Sequence, residues 1–326
     1  MMNKLYPMKF QPLLKEKIWG GTHLHALSEE AIPDAFYGEA WLLSGIEGEE
    51  TVVLNGWLAE NNISELIEIF MGDLVGDKVF EQYEEDFPLL FKLIDAADDL
   101  SIQVHPNDEL AQKRNLERGK TEMWYVMEAE EGAELISGFD KQIDKESFQK
   151  LITQQRLESV LNREKVHAGD VFFMPAGRVH SIGKGILLAE IQQSSDTTYR
   201  IYDWGRKDAQ ENERELHVEE ALDAIDFKVE KNYRTNYQSI NNATIPVVAS
   251  SFFNTNILSA TDPIRKDFSE LDSFVVYLCV EGALDLKYSE GKIALQRGEI
   301  ILIPNAVNEI MLIPKQAAKV LEVYVP

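Results

Sequence analysis

The segment Gly169-Asp-Val-Phe-Phe-Met-Pro175-Ala-Gly177-Arg-Val-His180 recurs without gaps as Gly298-Glu-Ile-Ile-Leu-Ile-Pro304-Asn-Ala-Val-Asn-Glu309. In each copy a glycine ends a connection, four apolar residues form a short buried strand, and a proline sets a tight turn before the next strand. A chain that repeats such a unit must build two related β modules, and only the first copy ends in a histidine. Short β-rich runs at 40–43, 50–55, 89–94, 100–105, 122–128, 171–174 and 186–192 agree with this, and their spacing predicts a barrel or sandwich.

Helical periodicity interrupts the strands over 62–84 and over 145–162, where Phe148, Leu151, Ile152, Leu157, Val160 and Leu161 keep one stripe. A shorter helix is expected over 218–225. The polar stretch 230–242 places a boundary between a domain of residues 1–235 and a C-terminal one of 236–326. Aligning the copies puts Tyr277 at the position of Tyr125, Phe274 at that of Glu122, and Glu309 at that of His180. The second module would then keep the fold without the ligands and serve to pack against the first.

The 326 residues carry a formal net charge of -24. Nucleic acid and anionic bilayers are held by clusters of Lys and Arg that this sequence does not supply, which excludes both as partners. Screening over ~8 Å at physiological salt lets a few local cations reverse the sign within a pocket, so a sugar phosphate stays open as a ligand. The single cysteine, Cys279, lies in an apolar run and reads as core packing, so a disulfide framework and a cysteine zinc site are both unavailable. No signal-type or membrane-spanning apolar run is visible, and a cytoplasmic address is the expectation.

Alternation in the run 100–105 puts Leu100, Ile102 and Val104 on one face and Ser101, Gln103 and His105 on the other. The same parity groups Lys120, Glu122 and Trp124. If the polar faces line a barrel, Gln103, His105, Glu122 and His180 offer an amide, two imidazoles and one carboxylate, a set suited to a catalytic Zn2+ with an open position. Lys92 interrupts the apolar run 87–94, so its ammonium either meets a buried partner or snorkels from an edge strand. His23, His25 and His167 read as structural, and His217 as a helix cap.

The order of residues in 169–180 resembles the second metal-binding motif of the cupin superfamily. Over nearly the whole chain the sequence resembles the short class of type I mannose-6-phosphate isomerases. The resemblance rests on Ile18-Trp-Gly-Gly, Gly38-Glu-Ala-Trp41, Pro88-Leu-Leu-Phe-Lys-Leu-Ile-Asp95, Ser101-Ile-Gln-Val-His-Pro-Asn-Asp108, Gly119-Lys-Thr-Glu-Met-Trp-Tyr125, Pro175-Ala-Gly-Arg-Val-His180 and Asp196-Thr-Thr-Tyr-Arg200. It implies two cupin-type jelly-roll barrels with helical insertions, and one zinc ion on Gln103, His105, Glu122 and His180. It also implies an active-site role for Arg200, with Lys92, Lys120 and Asp196 at other pocket positions.

The implied reaction interconverts mannose 6-phosphate and fructose 6-phosphate through an enediol. Lys120, Glu190, Asp196 or a zinc-bound water could carry the proton, and Lys92, Lys120 and Arg178 are the cations at hand for the phosphate. Two other readings are a non-catalytic sugar-phosphate-binding cupin and an iron cupin oxygenase, which would carry histidine in place of Gln103. A monomer and a homodimer are both open.

Overall fold

The computed structural model describes residues 4–27, 32, 34–207 and 211–326; Met1 to Asn3, where a signal-type segment was sought, lie outside these. A 7-stranded antiparallel sheet runs in the order Leu13–Gly21, Tyr37–Leu43, Leu89–Ala96, Ile186–Gln193, Glu122–Ala129, Val171–Met174 and Arg234–Thr235. Facing it is a 5-stranded sheet of Tyr199–Tyr202, Ile102–Val104, His180–Ile182, Glu134–Phe139 and Leu161–Lys165. Between them lies an apolar plug that includes Trp124, Phe172, Leu188, Leu135 and Ile182.

The third sheet takes all its strands from Thr244 onward, with Asn254–Ala260, Glu309–Tyr324 and Val275–Tyr288 at its centre. It packs on the outer face of the first sheet. Leu93, Tyr125, Val171 and Ile191 share one core with Val276, Leu278, Leu302 and Val323. Strands such as Leu89–Ala96 are therefore buried on both faces, one toward the barrel interior and one toward the second barrel, which explains their nearly continuous apolar sequence.

The helical insertion after residue 62 starts at a capping box, in which the Asn62 side chain accepts from Glu65 N–H and the Glu65 side chain accepts from Asn62 N–H. It forms two helices, Ile63–Val75 and Asp77–Tyr83, separated at Gly76, where φ is +97°. Its exposed carbonyls are taken up by the second barrel, with Asn305 N–H donating to Leu74 O and Ala306 N–H to Asp73 O, both at 2.9 Å. The turn that carries His180 in the first barrel is thus, in the second, a dock for a helix.

Three expectations about local structure are corrected. The run 145–162 is an α-helix only over Lys145–Thr153, with a short 3-10 helix over Leu157–Val160. Gln155 takes a left-handed φ of 54°, and Leu161–Lys165 joins the edge of the 5-stranded sheet, so sheet pairing overrides the helical stripe. Residues 50–55 are not a strand, because Val52 and Val53 make only isolated bridges, to Asn62 and Phe10. His217 stands at the cap of Val218–Ala224 without capping it, and its Nδ1 accepts instead from Arg200 N–H at 3.3 Å.

The repeat alignment shifts by one residue in the earlier strand. Trp124 lies opposite Phe172, and Tyr277 lies opposite Ile301, the matching position of the second copy. Tyr277 therefore corresponds to Trp124, and Val275 to Glu122. A slip of one residue exchanges faces: Tyr125 looks toward the inter-barrel core and Tyr277 into its own barrel. Glu309, equivalent to His180 by count, points outward to pair with Arg265 at 2.6 Å, and Ile310 turns inward in its place.

Candidate metal centre and active site

The first barrel brings four ligand-type side chains together from three strands: Gln103 and, just past the same strand, His105, with Glu122 and His180. Gln103 lies directly opposite His180 in the 5-stranded sheet, and Glu122 reaches in from the facing sheet. The Gly169–His180 turn is pinned to this spot, because Gly177 N–H donates to the His105 carbonyl at 2.9 Å and Ala176 N–H to Thr121 Oγ1 at 3.2 Å. Gly177 has φ +89°, and a Cβ there would meet Ala224 O at 2.9 Å, so the turn requires glycine.

Ligand-type atoms of His105, Glu122 and His180 lie within 4.8 Å of one another, in an arrangement able to hold a metal ion. His105 Nε2 is 3.5 Å from Glu122 Oε2, and His180 Nε2 is 3.3 Å from Glu122 Oε1. Each imidazole gives its Nδ1 to a carbonyl at 2.8 Å, His105 to Thr197 and His180 to Arg178, which aims both Nε2 atoms at the carboxylate. His105 Nε2 and both Glu122 oxygens are buried with no hydrogen-bond partner. Buried polar atoms are paired in folded proteins, so three converging orphans fit a cation. The Gln103 amide reaches His180 Nε2 at 3.3 Å, and turning it over presents its oxygen to the same point.

Electrostatics point the same way. Burial holds both imidazoles well below the ordinary histidine range, His180 at about 3, so they are neutral and able to donate a lone pair. Burial, joined by the charge of Glu190, pushes the Glu122 carboxyl up. A positive ion offsets that penalty.

The catalytic-domain model of type I phosphomannose isomerases matches residues 8–137. Mannose-6-phosphate isomerase ManA of Bacillus subtilis is 36% identical over 94% of this chain and 95% of its own. The chain belongs to the type I phosphomannose isomerase family. The mannose-6-phosphate isomerase of Streptococcus mutans is 35% identical, covering 93% of both chains. The crystal structure of the Bacillus subtilis mannose 6-phosphate isomerase superimposes with a TM-score of 0.86 at 31% identity, over 98% of this chain and 99% of that one. Membership in an isomerase family displaces the iron oxygenase and the non-catalytic sugar binder weighed from sequence.

Around this family's candidate centre the structure gathers most of the expected side chains. Lys120 Nζ lies 3.7 Å from Glu122 Oε2. Lys92 sits on a central strand, 2% exposed, with Nζ 3.6 Å from Glu190 Oε1 and 3.9 Å from Glu39 Oε2. Snorkelling is thereby overturned. Burial would lower the Lys92 pKa, but Glu39 and Glu190 outweigh it and the ammonium is raised above its ordinary value.

Arg200 lies opposite Gln103, so its side chain leaves the sheet on the same face. Its Nη1 donates to Glu215 O at 2.9 Å, its Nε is buried without a partner, and among the described residues it has no ion pair. Asp196 is exposed, yet close enough for its charge to act on Lys92. Arg178 is not in the pocket: its guanidinium stacks 5.0 Å over the Tyr233 ring and donates to Phe173 O.

Sequence reading assigned no role to Glu39, Trp41 or Trp124. Alternation along 37–43 puts Glu39 and Trp41 on one face, a signal that was available. A groove of about 1300 Å³ between residues 69–77 and the second barrel lies away from all of these groups. Among the described residues no helix is long and apolar enough to cross a membrane.

Proposed function

We propose that this chain interconverts mannose 6-phosphate and fructose 6-phosphate, with one Zn2+ held by His105, Glu122, His180 and the Gln103 amide oxygen. The convergence of the orphaned His105 Nε2 and Glu122 oxygens on His180 Nε2 carries this reading, and relatives bearing the isomerase name over the whole chain length support it. One carboxylate and three neutral donors leave the ion a net positive charge. When bound, it supplies Lewis-acid polarisation of the sugar's carbonyl oxygen.

Glu190 moves the carbon-bound proton. After ring opening it takes the proton from C2 while solvent water gives one to O1, which forms the enediol. Glu190 then returns its proton to C1 while the O2 hydroxyl gives its own back to solvent, and the ketose results. Glu190 suits this task because Lys92 and Trp124 hold its two oxygens from neighbouring strands, leaving acceptor capacity toward the sugar. Arg200, a permanent cation with a free Nε, steadies the developing oxyanion, and Lys120 adds positive charge beside Glu122. Lys92 keeps Glu190 in place, and Asp196 borders the entrance. We assign this chemistry to residues 1–235 and a supporting role to 236–326.

Incubating purified protein with mannose 6-phosphate and following fructose 6-phosphate tests the activity. Steady ketose formation is expected, and its absence from folded, zinc-loaded protein would overturn the assignment.

A further inference from the structure

A single row of directly opposed residues crosses five strands of the first sheet: Trp41, Lys92, Glu190, Trp124 and Phe172. Residues opposed in an antiparallel sheet leave it on the same face, so this row lines the barrel interior. Trp124 is 1% exposed, and its indole N–H donates to Glu190 Oε2 at 2.8 Å. The edge of its ring meets the His180 imidazole, with centroids 5.3 Å apart at 79°. One rigid side chain thus touches both the carboxylate assigned to proton transfer and an imidazole assigned to the metal.

The second barrel repeats the row as Pro246, Asn256, Glu322, Tyr277 and Ile301. There Tyr277 O–H takes the place of the indole N–H and donates to Glu322. Glu322 also accepts from Asn256 Nδ2 at 3.0 Å and pairs with Lys266 Nζ at 2.6 Å, so three donors hold it. Among the described residues Glu190 has no counterpart of that third donor. The same aromatic–carboxylate pair is closed off in the barrel without ligand residues and left open beside them in the barrel that has them.

We propose that Trp124 is a positioning residue for the isomerisation, its indole N–H fixing the Glu190 carboxylate at the angle that meets the C2 proton while its ring registers Glu190 against His180. The proposal rests on Glu190 carrying the proton. It assigns the indole N–H, rather than the bulk of the ring, as the functional element.

Three variants separate the possibilities. Trp124→Phe removes the donor, and Trp124→Tyr restores one of the kind Tyr277 already uses. For Trp124→Phe, kcat should fall about 30-fold with KM within about threefold, zinc content unchanged, and a larger primary isotope effect on C2-deuterated mannose 6-phosphate. Trp124→Tyr should recover most of kcat and the smaller isotope effect. Equal losses in both variants, or a loss of kcat that tracks lost zinc or folded protein with an unaltered isotope effect, would show that Trp124 only packs. Glu190→Gln is the parallel control. If it isomerises normally, both the base assignment and the Trp124 proposal fall; if it is inactive while Trp124→Phe is normal, only the Trp124 proposal falls.

Discussion

Lys92 and Glu190 face each other on adjacent central strands, with Nζ 3.6 Å from Oε1 and both side chains at or below 5% exposure. Neither charge has water to fall back on. Glu39 on the other side of Lys92 completes a carboxylate–ammonium–carboxylate line, and the ammonium also lies 4.9 Å over the Trp41 ring. Removing one member of a buried ionic group leaves the others uncompensated, at a cost of about 3–5 kcal/mol. Lys92→Met should lose about 3 kcal/mol in urea unfolding and most of kcat. A stability within 0.5 kcal/mol of wild type would show that the line is not held by charge.

Glu39 sets a pH dependence. Burial pushes its carboxyl up, but Lys92 first, then Lys17 and the Trp41 N–H, outweigh burial and hold it at about 2. A folded pKa below the unfolded one, near 4.5, stabilises the fold fully above pH 4.5, and the contribution fades as pH falls toward 2. At full strength it is worth up to about 3 kcal/mol. Wild type should therefore exceed Glu39→Gln in unfolding free energy at neutral pH, and the gap should shrink by about 1–2 kcal/mol near pH 3.5. A gap independent of pH would contradict the assignment.

Lys266 plays the closing part inside the second barrel. Lys266→Met should destabilise the protein by about 2 kcal/mol, since it strips the cation from buried Glu322, while leaving kcat within about twofold. Thermal unfolding and initial rates measured on one preparation check both halves. A collapse of activity without a change in stability would mean that the second barrel takes part in catalysis directly.

The placement of the first barrel's candidate ligands was legible because strand alternation is local: once the run 100–105 is extended, Gln103 and His105 must share a face, and a proline–glycine turn must present His180 beside them. The second barrel was read one residue out because register is fixed by partners far along the chain, here Ile301 against Tyr277, and not by the strand itself. The helix expected to reach residue 162 stopped at Thr153 for a similar reason, since Leu161–Lys165 had a sheet edge to join. Lys92 looked ambiguous because its partners, Glu39 and Glu190, come from strands tens of residues away on either side.

Arg200 separates binding from chemistry. Arg200→Ala should retain the bound metal and lower kcat by about 100-fold or more, as loss of a preorganised oxyanion contact does. Zinc content measured beside the kinetics decides it. Loss of metal together with activity would make Arg200 a support for Gln103, its partner across the strands.

The metal assignment is tested most directly by stripping divalent ions from the purified protein with a chelator, then measuring zinc content and fructose 6-phosphate formation before and after adding back one equivalent of Zn2+. Activity should vanish with the metal and return with it, and His105→Ala and His180→Ala should fail to recover. Full isomerase activity in protein shown to be free of divalent metal would contradict the reading of His105, Glu122 and His180 as the catalytic centre.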